Sequence, residues 1–277
     1  LCTVISFPNC KINIGLHITE KRADGFHNLE SIMTPVFWND ILEIVKSEDA
    51  NSEVEFKSTG IRIFGNKENN LCSKAYQLLA KDFSLPPVKI HLHKIIPIGA
   101  GLGGGSSDAA FTLSILNSLF KLNISDEQLE NYASQLGSDC PFFLRNKTLF
   151  AYEKGDKFEN VKTSGKEYTV VLIKPKVHVN TTEAYSWIKP VKRKSSLKDL
   201  IHQPIETWKE TIFNDFENPV FEKYPAIKNI KARLYKRGAL YASMSGSGST
   251  VFGIFNDEKH LDTYFRSCTI YQGKITI

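Results

Sequence analysis

The chain has 277 residues, of which 42% are hydrophobic and 23% charged, and its 35 basic and 30 acidic side chains give a net charge of +5. These values predict a soluble globular protein of one large domain or two ordinary ones, and the mild charge argues against a nucleic-acid partner. No apolar run reaches the roughly 18 residues of a membrane helix, so no membrane partner is expected. Five scattered cysteines without a C-x-x-C pair argue against disulfides or zinc and favour a reducing, cytoplasmic location.

Residues 1–7 are too short for a signal peptide and lack a basic segment, so we expect the fold to begin here, with a strand over residues 3–7. A second strand is predicted over residues 11–18. Its alternation puts Lys11 and Asn13 on one face and apolar side chains on the other. A lone lysine on a strand is more often solvated than functional, so this pattern alone leaves both interpretations open.

A turn-rich loop over residues 21–27 carries Phe26 and His27 side by side. A flat aromatic face next to a ring nitrogen is what a nucleobase requires, whereas a packed phenylalanine and a surface histidine are the alternative. Further strands are predicted over residues 31–36, 40–45, 54–56 and 89–92, and a helix over residues 71–83.

Residues 97–110, PIGAGLGGGSSDAA, contain five glycines in seven positions and separate a predicted strand from a predicted helix over residues 108–120. Ser106 or Ser107 is the expected N-cap of that helix. A strand, a glycine loop and a helix N-terminus in this order favour a phosphate site, because free N–H groups and the positive end of the helix dipole face the anion. The G-x-G-x-x-G pattern at residues 99–104 formally matches dinucleotide binding, but a second helical pattern follows in place of the strand, ending in an acidic residue, that this fold needs. No lysine completes a Walker A loop. Dinucleotide binding and a glycine-rich turn without a ligand are the two alternatives that stay open.

A second helix is predicted over residues 126–137; it ends at Gly137, and Pro141 prevents its continuation. Asp139 therefore lies in a sharp corner that apolar residues follow. Such a carboxylate is either a turn former or a functional group, partly desolvated or paired with a cation such as Lys11.

The composition turns polar over residues 154–166, which predicts a boundary between domains of residues 1–155 and 156–277. Beyond it, strands are predicted over residues 168–173, 240–244, 251–255 and 269–277, and helices over residues 181–188, 205–213, 216–236 and 258–265, the third broken near Pro219 and Pro225. The small residues 245–249 between two strands suit either a hairpin turn or a second wall of a nucleotide site. The whole pattern predicts an α+β fold of two lobes with a cleft between them.

Four motifs together resemble the GHMP kinase superfamily in their order and spacing. They are residues 8–13, residues 23–27, the three glycines and two serines of residues 103–107, and residues 137–142. The resemblance covers about residues 7 to 256 and implies a two-lobed α+β kinase fold with the active site in the cleft. Within the superfamily, the motifs look most like those of enzymes of the non-mevalonate isoprenoid route. These enzymes use ATP and Mg²⁺ to phosphorylate a hydroxyl, the 2-hydroxyl, of 4-diphosphocytidyl-2-C-methyl-D-erythritol.

The resemblance implies Lys11 and Asp139 as the catalytic pair and a small cytidine diphosphate compound as the substrate. The residues implied in ATP binding are Asn70 and Lys94 on the adenine side and, around the phosphates, Pro97, Gly99, Gly101, Leu102, Gly103, Gly104, Gly105, Ser106 and Ser107. The residues implied in substrate binding are Phe26 and Tyr185 around the cytosine, His27 at its edge, Asn13 and Thr181 at the erythritol or diphosphate, and Gly246, Ser247 and Gly248 over the phosphates.

Three positions depart from the family pattern. Cys10 stands where alanine is common, and Phe26 stands where tyrosine is usual, which keeps the aromatic face but loses a hydroxyl. Asp108 stands where asparagine is frequent, and its charge would repel a close phosphate. We therefore expect Asp108 to point aside or toward Mg²⁺, whose ligands the sequence does not identify.

Two other functions stay open. A GHMP enzyme that acts on mevalonate, homoserine or a sugar would not need Phe26 and His27, because such an alcohol offers no ring to stack. A non-catalytic ligand sensor on the same fold would not need Lys11 and Asp139. We expect a monomer or a weak homodimer.

Overall fold

The computed structural model describes residues 3–48 and 53–277, so Leu1 and Cys2, one of the five cysteines, lie outside the described residues. The fold is α+β, as predicted. The strands are β1 (Thr3–Ser6), β2 (Asn9–Lys21), β3 (His27–Asn39), β4 (Ile41–Lys46), β5 (Val54–Gly60), β6 (Val88–Lys94), β7 (Leu149–Tyr152), β8 (Lys157–Asn160), β9 (Glu167–Lys174), β10 (Tyr241–Met244), β11 (Val251–Phe255) and β12 (Thr269–Thr276). The α-helices are α1 (Leu71–Ala80), α2 (Gly104–Phe120), α3 (Asp126–Leu136), α4 (Cys140–Arg145), α5 (Thr181–Ser186), α6 (Leu197–Leu200), α7 (Trp208–Thr211), α8 (Glu217–Lys223) and α9 (Pro225–Lys236). Within the described residues, none of these helices has the length and hydropathy needed to cross a bilayer.

The first of two compact units contains the described residues up to Cys10, Trp38–Ile98 and Gly103–Asn146. Its sheet has the strand order β1-β4-β6-β5 and is antiparallel except for the parallel pair of β5 and β6. In β6 every second side chain from Val88 to Lys94 is buried, because one face of the sheet packs on α1, α2 and α3. Lys94 therefore lies on the buried face of β6, on which the other side chains are apolar.

The second unit contains Lys11–Phe37, Gly99–Leu102 and Lys147–Ile277. It holds most of a sheet with the order β2-β3-β7-β8 and all of an antiparallel sheet with the order β10-β11-β9-β12. Helix α9 packs on β10 and β11, and its Ile230 and Leu234 are buried in the core of this unit. The strand that carries Lys11 thus belongs to the same unit as the small-residue loop after β10.

The start of α2 corrects the sequence-based prediction. The helix begins at Gly104 rather than at residue 108, and its N-cap is Gly103 with φ 70°. The predicted serine N-cap is therefore wrong, and Ser106 and Ser107 lie within the first turn of the helix. Glycine permits this earlier start because its backbone enters the left-handed region without a Cβ penalty.

The helix predicted over residues 258–265 is also wrong. In this segment, all of which the structure describes, the helical residues are those of a single 3₁₀ turn, Asp262–Tyr264. Leu261 and Phe265 are both buried, and their spacing of four residues imitates the pattern of an amphipathic helix. The apolar spacing therefore reflects the burial of Leu261 and Phe265 in the tertiary structure and not a helix.

The helix predicted over residues 216–236 is divided into α8 and α9. The break falls at Tyr224, directly before Pro225, as predicted for that proline. Pro219 does not break α8, because it lies in the first helical turn, where its missing N–H would have no partner.

The polar segment of residues 154–166 contains β8, which pairs with β7. Neither strand is predicted from the sequence pattern. Each compact unit is assembled from separate stretches of chain. The division into domains of residues 1–155 and 156–277 stays a prediction.

Candidate active site

The first glycine segment requires glycine at three positions. Gly99, Gly101 and Gly103 have φ angles of 60°, 78° and 70°, in the left-handed region that side chains rarely adopt. A Cβ on Gly99 would lie 2.7 Å from the His178 ring, and a Cβ on Gly101 would clash with the carbonyl oxygen of Ser245. The backbone of this segment therefore approaches its neighbours more closely than a side chain would permit.

The first turn of α2 has free backbone N–H groups that could donate hydrogen bonds to an anion. Among the described residues, no side chain caps the helix at Gly103. The amides of the first turn, including those of Gly104 and Gly105, have no acceptor within the helix, and the positive end of the helix dipole lies there. Ser107 is buried, and its hydroxyl has no hydrogen-bond partner within residues 3–48 and 53–277.

Asp108 points aside, which is one of the two orientations expected from the sequence. Its Oδ2 accepts a hydrogen bond from the ammonium of Lys94 at 2.6 Å, and the same ammonium donates to Asp40 Oδ2 at 2.5 Å. Asp40 Oδ1 also accepts the backbone N–H groups of Ile95 and Ile96. Burial raises the pKa of Asp108, and the nearby Lys94 ammonium offsets only part of this rise. Asp108 and Asp40 thus share one ammonium within the first unit.

Asn70 and Lys94, both predicted on the adenine side of ATP, have structural partners. Asn70 is the N-cap of α1, and its Oδ1 accepts the backbone N–H of Cys72 at 2.9 Å. The ammonium of Lys94 is only 3% exposed. Contact of either residue with adenine stays a prediction.

Asp139 lies where α3 and α4 meet. It is half-buried and is the residue before α4, in which Pro141 is the second residue, so the proline begins a helix as well as ending one. The neighbouring Cys140 is buried, and burial raises the pKa of its thiol to about 12. A Cβ on Gly137 would lie 3.4 Å from Cys140 Sγ and 3.9 Å from Ser106 Oγ, so this corner adjoins the first turn of α2.

Lys11 and Asn13 lie on one face of β2, as the alternation predicts. Both are buried, and Lys11 Nζ donates to Asn13 Oδ1 at 2.5 Å, so the alternative of a solvated lysine is wrong. Asn13 Nδ2 donates to Ser31 Oγ at 2.8 Å. The backbone N–H of Lys11 also donates to the carbonyl of Leu102 at 3.0 Å, which joins β2 directly to the first glycine segment.

The loop of residues 245–249 contacts the first glycine segment, and its role as a second wall of a nucleotide site stays a prediction. Ser245 Oγ donates to the carbonyl of Gly101 at 2.8 Å and accepts the N–H of Asn13 at 3.3 Å. The hydroxyls of Thr181 and Ser247 are 2.9 Å apart. Three predicted groups, the β2 residues, the glycine segment and the second loop, are therefore in direct contact within the second unit.

Two of the three residues predicted at the cytosine, His27 and Tyr185, are in contact. Tyr185 stacks on His27, with ring centroids 5.1 Å apart and planes at 25°. Phe26 is 61% exposed, and the Lys154 ammonium lies 5.4 Å from its ring centroid. Burial, aided by Lys21, lowers the pKa of His27, which favours the neutral imidazole. An exposed ring beside an imidazole suits an uncharged heteroaromatic base.

Sequence reasoning missed Asp40 and Asn214. Asp40 is the partner of Lys94, and the amide of Asn214 donates to the carbonyls of Met244 and Gly246 beside the second loop. The signal for Asn214 was a run of three polar side chains around one aromatic, N-D-F-E, at the start of a predicted helix. For Asp40 the sequence offers only an acid next to an apolar strand.

A surface groove of about 480 Å³ lies on the sheet of the first unit. Its lining residues are Glu43, Val45, Lys46, Ser47, Glu48, Glu55, Lys57, Lys89, Ile90 and His91. None of these is a predicted site residue, and the lining mixes acidic and basic side chains without a chemical grouping. We therefore place the site by its side-chain chemistry and contacts rather than by the size of this groove.

Comparison with known proteins identifies close relatives. A protein of Bacteroides fragilis named 4-diphosphocytidyl-2-C-methyl-D-erythritol kinase is 52% identical over 93% of this chain and 94% of its own length. A protein of the same name from Bacteroides thetaiotaomicron is 53% identical over 92% and 93% of the two chains. The crystal structure of a 4-(cytidine 5'-diphospho)-2C-methyl-D-erythritol kinase superposes with a TM-score of 0.83 at 27% identity, over 99% of each chain. The Methanococcus jannaschii mevalonate kinase, with a TM-score of 0.72 and 14% identity over 100% of this chain and 99% of its own, shares the fold.

Two family models match the chain. The model described as GHMP kinases N terminal domain matches residues 70–147, which include the first glycine segment and Asp139. The model described as GHMP kinases C terminal matches residues 196–268, which include the second loop. With two matching family models and relatives about half identical over nearly its whole length, this chain belongs to the GHMP kinase family.

Proposed function

We propose that the protein is an ATP-dependent kinase that phosphorylates a hydroxyl of 4-diphosphocytidyl-2-C-methyl-D-erythritol, in the non-mevalonate route to isoprenoid precursors. Relatives of that name match nearly the whole chain, and ATP is the phosphate donor of the kinase family. The observation that carries the proposal furthest is the direct hydrogen bonding of β2, through Lys11 and Asn13, to both glycine-containing loops. This network joins a buried cation to the segments that bind phosphate in our interpretation.

The proposed chemistry is phosphoryl transfer in which the protein supplies position and charge more than covalent steps. Asp139 accepts the proton of the attacking hydroxyl, which is the 2-hydroxyl by family resemblance. Lys11 stabilises the negative charge that develops on that oxygen. The backbone amides of residues 99–107 hold the phosphates of ATP, and the loop of residues 245–249 closes over them.

The residues at the start of α2 fit a magnesium ion. Within the described residues, no group of three His, Cys, Asp or Glu side chains forms a metal cluster, but Mg²⁺ with ATP needs only one or two protein ligands beside the phosphates. The buried hydroxyl of Ser107 has no partner among the described residues, and neither has Asp108 Oδ1, although Asp108 Oδ2 pairs with Lys94. We assign Ser107 as the residue that would hold Mg²⁺, because the carboxyl group of Asp108 is already bound to Lys94. When bound there, the ion neutralises charge on the β- and γ-phosphates.

The substrate's cytosine explains the aromatic group of the second unit. Phe26 offers an exposed face for stacking, Tyr185 stacks on His27, and His27, whose lowered pKa favours the neutral imidazole, bonds the edge of the base. Mevalonate and homoserine offer no ring to this group. The likeness to mevalonate and homoserine kinases of known structure, at 14% identity, concerns the fold and gives no support to those substrates.

Single-turnover transfer of radiolabelled γ-phosphate tests this proposal. With enzyme in excess over ATP and Mg²⁺ present, label should move to 4-diphosphocytidyl-2-C-methyl-D-erythritol. Mevalonate and homoserine serve as matched acceptors and should remain unlabelled. Label on either of them in preference to the cytidine compound, or on none of the three, would contradict the proposal.

A further inference from the structure

A short polar segment continues the sheet beside β2. The N–H of Leu16 donates to the carbonyl of Phe213 at 2.9 Å, and the N–H of Asp215 donates to the carbonyl of Leu16 at 2.9 Å. These bonds form a parallel bridge between Leu16 and Asn214. The backbone around Asn214 is therefore fixed to the same strand that carries Lys11.

The side chain of Asn214 reaches from this bridge to the second loop. It is 3% exposed, and its Nδ2 donates to the carbonyls of Met244 at 2.7 Å and of Gly246 at 2.8 Å. Its Oδ1 accepts the N–H of Phe216 at 3.0 Å, which fixes the orientation of the amide. Two donors and one acceptor on so short a side chain are a property of asparagine, since aspartate cannot donate when ionised.

Glu217 holds the strand that precedes the loop in a separate way. Its Oε1 accepts the N–H of Met244 at 2.9 Å and the hydroxyl of Ser243 at 3.2 Å, and its Oε2 accepts the ammonium of Lys231 at 2.6 Å. Glu217 therefore fixes the end of β10, whereas Asn214 reaches the second residue of the loop, Gly246.

The position of Gly246 matters to the rest of the site. A Cβ on Gly246 would lie 3.3 Å from the Cα of Gly101 and 3.6 Å from Asn13 Oδ1, so the loop has little room to shift without disturbing both. The adjacent Ser245 hydroxyl bonds Asn13 and Gly101 directly. A displaced Gly246 would thus loosen the contacts that join the two glycine segments.

We propose that Asn214 is a positioning residue, whose amide fixes the loop of residues 245–249 against β2 so that the two phosphate-binding segments keep one relative geometry. The inference rests on the proposed function for its catalytic consequence, because that function has the loop close over the phosphates. Asn214 acts through Gly246 and touches no substrate. Its loss lowers the rate of transfer more than it weakens ground-state binding.

Steady-state kinetics of Asn214→Ala and Asn214→Asp test this role. We expect kcat to fall about 10- to 100-fold, as for a small misplacement of reacting groups, while KM for ATP and for the cytidine substrate changes by less than about threefold. The control is Ile227→Ala in α9, which removes buried volume from the core of the same unit. The kcat values of the two variants are compared at a temperature at which both have the same urea midpoint of unfolding. The control should retain kcat. An Asn214→Ala enzyme with wild-type kcat, or an equal fall in the control, would overturn the inference.

Hydrogen exchange separates this inference from the proposed function. The N–H of Ser245 donates to Thr250 and the N–H of Gly248 donates to Ser245, so both amides report the closed loop. In protein without ligands, Asn214→Ala should speed their exchange by about tenfold or more relative to the Ile227→Ala control. Unchanged exchange would overturn the placement of the loop by Asn214, whatever the activity. If exchange rises but the wild-type protein transfers no phosphate to the cytidine substrate, the proposed function fails and the kinetic part of the inference fails with it.

Discussion

Lys94 and Asp108 form an ion pair in the interior of the first unit, with 2.6 Å between the ammonium and Oδ2. Asp40 completes the group on the other side of the ammonium, and all three side chains are almost fully buried. This pairing explains how the second turn of α2 tolerates an aspartate so close to a proposed phosphate site, because Oδ2 of Asp108 is turned toward the ammonium that it shares with Asp40.

Replacing the cation of this group should destabilise the protein strongly. Lys94→Met leaves two buried carboxylates without their partner, and such a loss costs about 3–5 kcal/mol of unfolding free energy. Urea denaturation measures it. Lys89→Met on the same strand is the control, since Lys89 is exposed and pairs with Glu55 at 3.5 Å, and it should change stability by less than about 1 kcal/mol. A Lys94→Met protein of normal stability but with a raised KM for ATP would support the predicted adenine contact instead.

Asp139→Asn should separate catalysis from binding. The amide cannot accept the hydroxyl proton, so kcat should fall by about 10²- to 10⁴-fold, while the Kd for ATP measured by calorimetry stays nearly unchanged. Asp126→Asn, in the first turn of α3, is the matched control and should keep wild-type kcat. Normal turnover in Asp139→Asn would remove this residue from the proposed mechanism.

Loss of the aromatic group should affect the cytidine substrate alone. Phe26→Ala should raise KM for that substrate by about 10- to 100-fold, as expected for removal of a stacked base contact, and leave KM for ATP unchanged. His27→Ala should raise the same KM by about tenfold through loss of a hydrogen bond. Phe64→Ala removes another exposed ring, 80% exposed in the first unit, and should change neither constant. Normal KM values in both site variants would argue for a GHMP substrate without a base.

Gly101→Ala should lower the free energy of unfolding more than Gly165→Ala does. Gly165 has a similar φ of 71°, and no described atom lies within 4 Å of the position that an added Cβ would take, so Gly165→Ala should cost about 1–2 kcal/mol from backbone strain alone. At Gly101 the added methyl also meets the carbonyl of Ser245. We expect a larger loss of unfolding free energy there, measured in urea, together with reduced kcat. Equal losses in the two variants would show that the close approach of the loops is not essential.

His17 should make the protein sensitive to acid. It is 1% exposed on β2, and burial, aided by Arg193 and opposed by Asp215, lowers its pKa to about 4. An unfolded chain binds a proton at His17 below about pH 6.5, whereas the folded protein does so only near pH 4, so stability falls as pH decreases across this interval. Over the whole interval, the loss of unfolding free energy due to His17 approaches about 3 kcal/mol.

Urea denaturation of the wild type and of His17→Gln, at steps between pH 8 and pH 4.5, measures this contribution. The variant should lose less stability than the wild type between pH 6.5 and pH 4.5, because its side chain takes up no proton. Parallel curves over that interval would show that the buried imidazole does not carry the effect.

The parts of the fold that the sequence predicted are those set by local pattern. The alternation in β6, the continuous buried stretch of β9 and the helical spacing in α1 and α3 appear within a few residues, so each element could be located from its own segment. The helix predicted over residues 258–265 failed because two buried anchors, placed by tertiary packing, have helical spacing by coincidence. Local pattern alone does not distinguish these cases.

The candidate site divides in the same way. The glycine segments and the shared face of Lys11 and Asn13 follow from the character of neighbouring residues, and the sequence predicted both. The ion pair of Lys94 with Asp40 joins residues 54 positions apart, and the bond from Asn214 to Gly246 spans 32 positions. Each of these polar residues would appear solvated in isolation, so their roles become visible only when the packing is known.

The composition of the two units has a consequence for how the chain is synthesised. When a ribosome has completed residue 146, every segment of the first unit has been made, whereas the second unit still lacks everything from Lys147 onward. The early strand bearing Lys11 lies beside β3 in its sheet, but its contacts with residues 213–215 and with Ser245 form only after most of the chain has been made. Such nonlocal assembly is slow, and until it is complete the nascent polypeptide exposes apolar side chains to which chaperones bind.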